Sequence, residues 1–474
     1  MSSSHTAPVT SDGAGQEHAD ASSARLPHLG GLDGLRAFAV IAVVVYHVLP
    51  PALGGGFIGV DVFFVISGFL ITSLLLHERR ATGTVRRGRF WMRRVRRLAP
   101  ALVLMLLVCT AAAGVIGGDV LVGIGWQLLG GVTFGFNWLA IVNGSSYFAS
   151  TAPELYRNLW SLAVEEQFYL IWPLALAVLF FVRPVARVFI VIALAAASAL
   201  AMALLLQDGG DPTRVYFGTD THSFGLLCGA ALALGLAARR PRHPETSGLG
   251  NRLGLGSRLG LSAAAIALVL GLVAATVVLR EDEPATYRGG LLAVTVATTL
   301  LIWVLTRAPW VGRWFDVAPL RYIGKRSYGI YLWHWPVLVL VAAVAPHIRA
   351  DTPPYLAVAV LCLVLTGLAS VLSYRWLEVP IRTLGFRGWL RKLGTSLRRG
   401  PALRRLAVVV APVFVVALLA GSASAVASAP EQSSSELAIA RGQQALAQAT
   451  PTPTAPAAPA GTGGQAAETS PPAP

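Results

Sequence analysis

Charge is what this chain has least of. Charged residues make up 13% of its 474 positions, against about 25% in soluble domains. That excludes an ordinary water-soluble globule. With 55% hydrophobic residues, most of the chain must have lipid as its solvent. Lysine is nearly missing, with only Lys325 and Lys392 among 38 basic residues. The net charge of +15 therefore rests on arginine. The arginines cluster in short stretches between apolar runs, which is the positive-inside pattern of membrane proteins and argues against a nucleic-acid partner. Cysteine is scarce too. Cys109, Cys228 and Cys362 each lie inside an apolar run. Their spacing suggests neither a disulfide framework nor a metal site, so they read as small core residues. No internal repeat is visible, and residues 1–28 lack the basic start and short apolar core of a signal peptide.

What is present is a series of apolar runs of the length needed to span a bilayer, about 20 residues. They fall near 33–50, 57–77, 98–117, 167–182, 188–206, 221–238, 259–279, 289–306, 327–345, 355–374 and 406–426. The expected fold is an all-α integral membrane protein, a bundle of about ten transmembrane helices plus an eleventh C-terminal span. The stretch "HERRATGTVRRGRFWMRRVRRLAP" at 77–100 carries nine arginines and one glutamate, so it belongs in the cytoplasm, as does the N-terminus. The basic segments at 183–187, 239–258, 307–326 and 375–405 then fall inside, and the acidic loops "QDGGD" and "REDEP" fall outside. This parity requires that 119–142, apolar but broken by glycines and polar residues, is re-entrant or interfacial on the outer side. The domain reading is a disordered cytoplasmic tail over 1–28, a transmembrane domain over 29–383, and a basic cytoplasmic linker over 384–405. An extra transmembrane helix over 406–426 and a disordered extracytoplasmic tail over 427–474 complete it.

Ionisable residues within spans point to function by default. Arg36 and His47 are eleven residues apart. At about 100° per residue they share one helix face, roughly 16 Å apart along the axis. The structural alternative is an arginine reaching the interface and a packed histidine. Asp61 lies near the outer end of the next span. There a carboxylate either orients His47 or simply meets the positive end of its helix. "NLWSLAVEEQFYLIWP" places Glu165 and Glu166 at the outer end of a further span, and only one of two adjacent carboxylates can face a common site. Trp160 and Tyr169 are candidates for binding the donor or substrate, with interfacial aromatics as the plainer alternative, and Ser161 reads as a cap. Tyr328, Tyr331 and His334 recur every three residues in the inner half of their span, a polar stripe that is not expected to face lipid. Tyr328, Tyr331, His334 and Glu378 are binding candidates, although Glu378, among arginines in "YRWLEVPIR", reads more plainly as a structural ion pair.

Seven stretches in order now carry a resemblance: "LDGLRAFAVIAVVVYH", "GGFIGVDVFFVISGFLI", "RRVRRLAP", "NLWSLAVEEQFYL", "YFGTDTHSFGLLCGAALA", "SYGIYLWHWPV" and "YRWLEVPIR". Together they cover roughly residues 30–383, and over that length the chain resembles the acyltransferase-3 family of bacterial integral-membrane O-acyltransferases. The resemblance implies transfer of an acyl group, often acetyl, from a cytoplasmic acyl-CoA such as acetyl-CoA. The CoA thioester is a donor substrate, and no permanently bound cofactor or metal is implied. The acceptor is a hydroxyl of an envelope glycan, a glycolipid or a secreted metabolite. The site is the inner cell membrane, with membrane lipid around it. By the same resemblance Arg36 and His47 are an essential pair, and Asp61, Ser67, Glu165 and Glu166 match other motif positions. Arg93, Arg94 and Arg97 match a basic stretch before the third span. The chain departs from the pattern at His222, where arginine is expected after "GTDT", which puts the ligand contact there in doubt.

Many long members carry an SGNH-hydrolase-like domain after the extra span. Here only the low-complexity tail follows. A natural short form, a separate SGNH-hydrolase-like partner and a trimmed chain all fit. The mechanism expected from this reading brings the donor in at an arginine-rich mouth and delivers its thioester to His47, which acts as general base or transient acyl carrier. Two other classes fit less of the chain. One is a transporter or flippase for a lipid-linked glycan, and the other a membrane anchor that recruits an outer partner.

Overall fold

The computed structural model describes residues 29–147, 154–239, 254–348, 350, 352–399 and 401–449. The expected N-terminal tail, most of the basic segment 239–258 and the end of the C-terminal tail lie outside the described residues. Among those described, every regular element is a helix. The principal ones begin with α1 (Leu32–Val48), α2 (Gly59–Thr82), α3 (Arg87–Ile116), α4 (Ile124–Thr133), α5 (Phe136–Val142) and α6 (Leu159–Leu179). They continue with α7 (Pro184–Leu205), α8 (Thr213–Phe217), α9 (Thr219–His222), α10 (Phe224–Ala238), α11 (Leu255–Val278) and α12 (Leu291–Arg307). The rest are α13 (Pro309–Phe315), α14 (Ala318–Val344), α15 (Tyr355–Ser373), α16 (Val379–Arg399), α17 (Ala402–Ala427) and α18 (Ser434–Ala449). Nine helices among the described residues are long and apolar enough to cross a membrane. The chain is an all-α integral membrane protein. Two further expected spans, α1 and α10, are shorter helices of 17 and 15 residues.

Helices in lipid gain little from hydrophobic burial, so they associate through close packing of small residues. The first unit, Met1–Glu431, shows this at its centre. A Cβ at Gly68 of α2 would run into the carbonyl oxygen of Leu226 on α10, and one at Gly229 of α10 would run into that of Val65. Around α1 the same device recurs. Gly56 and Gly59 lie against the carbonyls of Ala42 and Ala39, and Gly324 of α14 lies against that of Asp33. Ala39 and Ala42 lie on the α1 face so covered, and Ala37 on the other side is buried as well. The C-terminal span α17 docks on α3 in the same way. Gly114 meets Ala425, Gly421 meets Ala111, and Ser422 Oγ donates to the Leu107 carbonyl at 3.2 Å.

The segment 119–142 contains α4 and α5, of 10 and 7 residues. At about 1.5 Å per residue neither can cross a hydrocarbon core of about 30 Å. The chain breaks between them at Phe134, which has a φ of 54°. Gln127 ties the segment down, donating to the Val122 carbonyl at 2.9 Å and accepting from Tyr156 N–H at 3.1 Å.

Several helices start earlier than the apolar pattern suggests. Helix α3 begins at Arg87 rather than 98, α6 at Leu159 rather than 167, and α14 at Ala318 rather than 327. Each added stretch carries polar residues, so hydropathy misses it. The expected linker 384–405 is largely helical. A π turn, Tyr374–Glu378, leads from α15 into α16, which kinks at Gly385 with φ 69°. Part of the tail expected to be disordered is also helical. In the second unit, Gln432–Pro474, α18 begins with a reciprocal cap. Ser433 N–H donates to Glu436 Oε2 at 2.7 Å, and Glu436 N–H donates to Ser433 Oγ at 3.2 Å. Alanine, leucine, glutamine and glutamate then favour the helix intrinsically.

The α2–α10 contact yields a direct test. Gly68→Val and Gly229→Val should each lower the thermal unfolding midpoint in detergent, at a cost of about 1–3 kcal/mol or more from overpacking. Gly235→Ala, on the same helix with nothing within 4 Å of the added carbon, should leave the midpoint unchanged or raise it.

Candidate functional site

The polar residues of the bundle gather at two levels along α1. At the Arg36 level is a cleft whose lining includes Arg36, Ser67, Arg94, Arg97, Glu165 and Tyr169, enclosing about 760 Å³ that is partly open to solvent. A second opening shares Arg36, Arg97 and Tyr328 with it and adds Asp33, Lys325, Glu378 and Arg382. Cations and carboxylates are interleaved. The hydroxyls of Ser67 and Tyr169 both donate to Glu165 Oε1. The Arg94 guanidinium stacks 4.7 Å from the Tyr169 ring, and Glu166 Oε1 is buried without a hydrogen-bond partner. Glu378 accepts from Ser373 Oγ at 3.0 Å.

Phe63, Phe64, Ser161 and Tyr331 also line the cleft. Tyr331 stands between it and His334. Its hydroxyl bonds Ser161 Oγ and the Asn158 carbonyl, and its ring lies 6.2 Å from Phe63 and 5.3 Å from His334.

Beyond Tyr331 lies the His47 level. His334 Nδ1 is 2.6 Å from the Tyr331 carbonyl, which can only accept, so Nδ1 carries the proton. His334 Nε2 is then a lone pair. It lies 3.1 Å from His47 Nδ1, which must be the donor. That leaves His47 Nε2 as an acceptor, with the Tyr147 hydroxyl 3.0 Å away. The tautomers follow from the hydrogen-bond network. Burial pushes the Tyr147 hydroxyl further up from its ordinary value, so it stays a donor. Trp335 and Tyr46 pack edge-on against the His47 ring, each at 4.8 Å.

Asp61 is not at this level of the network. Its carboxylate meets His222 Nε2 at 3.0 Å, and both side chains are completely buried. His222 Nδ1 is held by the Tyr216 carbonyl at 2.6 Å. The expectation that Asp61 orients His47 is corrected: His334 does so. Glu165 and Glu166 are corrected likewise. Because α6 starts at Leu159, Glu165 lies about 9 Å along it, at the Arg36 cleft rather than beside His47. His334 moves the other way. With α14 starting at Ala318, it lies about 24 Å along the helix, level with His47 and not in the inner half. Tyr328 lines the cleft and donates to the Leu98 carbonyl at 2.9 Å. Trp160 is 1% exposed and stacks on Phe217 and His222, so it is a core residue and not an interfacial aromatic; Tyr169 is buried too. Arg93 points away from the cleft and pairs with Glu78 at 2.9 Å.

Sequence reasoning missed Tyr147, Glu154, Arg157 and Glu281. The first three lie in the connection before α6 and the last in the acidic loop after α11. The available signal was a glutamate and an arginine three residues apart in "PELYRNLW", directly before an apolar span.

A multi-pass all-α membrane protein that buries an arginine–carboxylate cleft and a histidine pair along one helix is the class this geometry defines. Residues 29–375 match the family model of the acyltransferase domain, and the chain belongs to the acyltransferase-3 family. It is 41% identical over 370 residues to a Bacillus subtilis protein provisionally named a peptidoglycan O-acetyltransferase, covering 77% of this chain and 57% of that one. It is 39% identical over 370 residues to the peptidoglycan O-acetyltransferase OatA of Listeria monocytogenes, with the same coverage, 77% and 57%. It is 32% identical over 413 residues to the O-acetyltransferase OatA of Staphylococcus aureus, covering 86% and 66%. The chain thus spans 57–66% of the length of these relatives. No solved structure matches the chain.

Glu281 borders the His47 level, because the Tyr46 hydroxyl donates to it. Burial, aided by the nearby Asp282 charge, pushes its carboxyl from 4.5 up to about 7. Between those values the folded protein holds a proton that the unfolded chain has released. This contribution to stability is complete below about pH 4.5 and is lost as the pH rises through about 7. The thermal midpoint should therefore fall between about pH 5 and about pH 8, and Glu281→Gln should flatten that part of the profile.

Proposed function

We propose that this chain is a membrane O-acetyltransferase that moves an acetyl group from cytoplasmic acetyl-CoA to a hydroxyl on an envelope glycan. Peptidoglycan is the first acceptor to test, because relatives are named for it. The observation that carries the reading is the network from the Tyr331 carbonyl through His334 to His47. It leaves His47 Nε2 as a base with a hydroxyl in hydrogen-bond reach.

CoA is polyanionic, and guanidinium groups bind phosphate with charge-assisted hydrogen bonds. Arg36, Arg94 and Arg97 are the groups to hold it, with the N-terminus and the Arg36 opening on the cytoplasmic side of the cell membrane. The pantetheine arm then runs along α1 past Tyr331 and brings the thioester to His47. There His47 takes the proton of an incoming hydroxyl whose oxygen attacks the thioester carbonyl. Tyr147 marks the position from which that proton is given up. As the C–S bond breaks, His47 returns the proton to sulfur. Holding both reactants in one protein-lined path supplies rate through positioning. Asp61 holds His222, which stacks on Trp160, and Trp160 in turn packs against Tyr147.

His47→Ala should reduce acetyl transfer at least about 10²-fold, read as thiol release from acetyl-CoA, with membrane insertion unchanged. Arg36→Ala and Arg97→Ala should each weaken CoA binding about tenfold or more, whereas Arg93→Ala should not. Full transfer by the His47→Ala protein would overturn the proposal.

A further inference from the structure

Arg157 is a buried cation that nothing above uses. It lies just before α6 and is 5% exposed. Two of its nitrogens are committed: Nε donates to Glu154 Oε2 at 2.6 Å, and Nη1 donates to the Tyr147 carbonyl at 2.8 Å. The third, Nη2, is buried with no hydrogen-bond partner. A guanidinium offers five N–H donors, and a buried donor left unfilled is costly. The two rings beside its charge both touch His47. The Arg157 Cζ lies 5.3 Å from the Trp335 ring centre and 5.9 Å from that of Tyr147. The Trp335 ring is 4.8 Å from the His47 ring, and the Tyr147 hydroxyl is on its Nε2. Glu154 also accepts the Trp335 indole N–H through its backbone carbonyl, at 2.9 Å. The cation is thus rigidly held at the edge of the histidine site with a donor to spare.

We infer that Arg157 holds the acyl carbonyl oxygen during transfer at His47. This rests on the acyltransferase reading above. When the hydroxyl oxygen bonds to the thioester carbon and its proton passes to His47 Nε2, the carbonyl oxygen takes up a negative charge. An oriented N–H in a site sheltered from water stabilises that charge more than it stabilises the ground-state carbonyl. When the carbonyl re-forms, the C–S bond breaks and the thiolate takes the proton back from His47, giving ester and thiol. Arg157 donates a hydrogen bond throughout and exchanges no proton. Glu154 beside it balances its charge in the resting protein.

The test uses the full chain in lipid nanodiscs, with thiol release from acetyl-CoA as the turnover readout and CoA, which lacks the acyl carbonyl, as the binding probe. Arg157→Gln should lower turnover about 10²–10³-fold while leaving the CoA dissociation constant within about twofold. Arg157→Lys keeps the charge and loses the fork, and should restore part of the turnover. The double variant Glu154→Gln/Arg157→Gln removes both charges together, so it serves if an unpaired Glu154 destabilises the single variant; it should lose turnover to the same degree. Turnover within about threefold of the parent in the Gln variants, with His47→Ala inactive, would overturn the Arg157 role and leave the acyltransferase reading standing. Turnover and CoA affinity lost together in both Gln variants would mark Arg157 as a structural pin and overturn the role as well. Turnover kept by His47→Ala, or absent from the parent, would instead sink the reading on which it rests.

Discussion

Helix α1 can carry an arginine and a histidine because its neighbours approach it at backbone distance. Gly56 and Gly59 bring the start of α2 against the Ala42 and Ala39 carbonyls, and Gly324 brings α14 against that of Asp33. Lipid gives helices no hydrophobic reason to associate, so such contacts have to come from small residues and dispersion. Once α1 is enclosed, its polar side chains meet groups from α2, α3, α6 and α14 rather than hydrocarbon. Both polar levels of the molecule depend on that enclosure.

The two levels differ in chemistry because they differ in neighbours. At the Arg36 end, α3 and α6 supply arginines and carboxylates to an open cleft. At the His47 end, α14 and the connection before α6 supply His334 and Tyr147 to a closed hydrogen-bond chain. Tyr331 belongs to both. Its side chain lines the cleft, and its carbonyl fixes the tautomer of His334 and, through it, that of His47. One residue therefore touches both levels. The Asp61–His222 pair stands apart as a fully buried ion-pair candidate. His222 stands where the family resemblance expects an arginine; it reaches Asp61 Oδ1, leaves Oδ2 buried without a hydrogen-bond partner, and stacks on the Trp160 ring.

Much of this was legible in the residues. The apolar runs located most of the spans, and interruptions in 119–142 marked a segment that breaks into two short helices. Helical geometry put Arg36 and His47 on one face. Helix starts were not legible where polar residues open a span, as at Arg321 and Lys325 in α14, because hydropathy cannot tell a residue facing protein from one facing lipid. That error moved His334 to the wrong depth. The starting point of α6 did the same to Glu165 and Glu166. Asp61 was assigned to His47 on shared depth alone, and depth does not specify which neighbour a side chain faces.

Membrane residence, helical class and the alignment of Arg36 with His47 follow from local properties, namely composition, run length and a 3.6-residue period, and none of these depends on tertiary contacts. Partnership is a different matter. His47 with His334, Asp61 with His222, and Arg157 with Tyr147 join residues separated by 287, 161 and 10 positions. No periodicity spans gaps of 287 and 161 positions. Which imidazole nitrogen is the base depends on a carbonyl presented by another helix, so only the packed bundle could decide it.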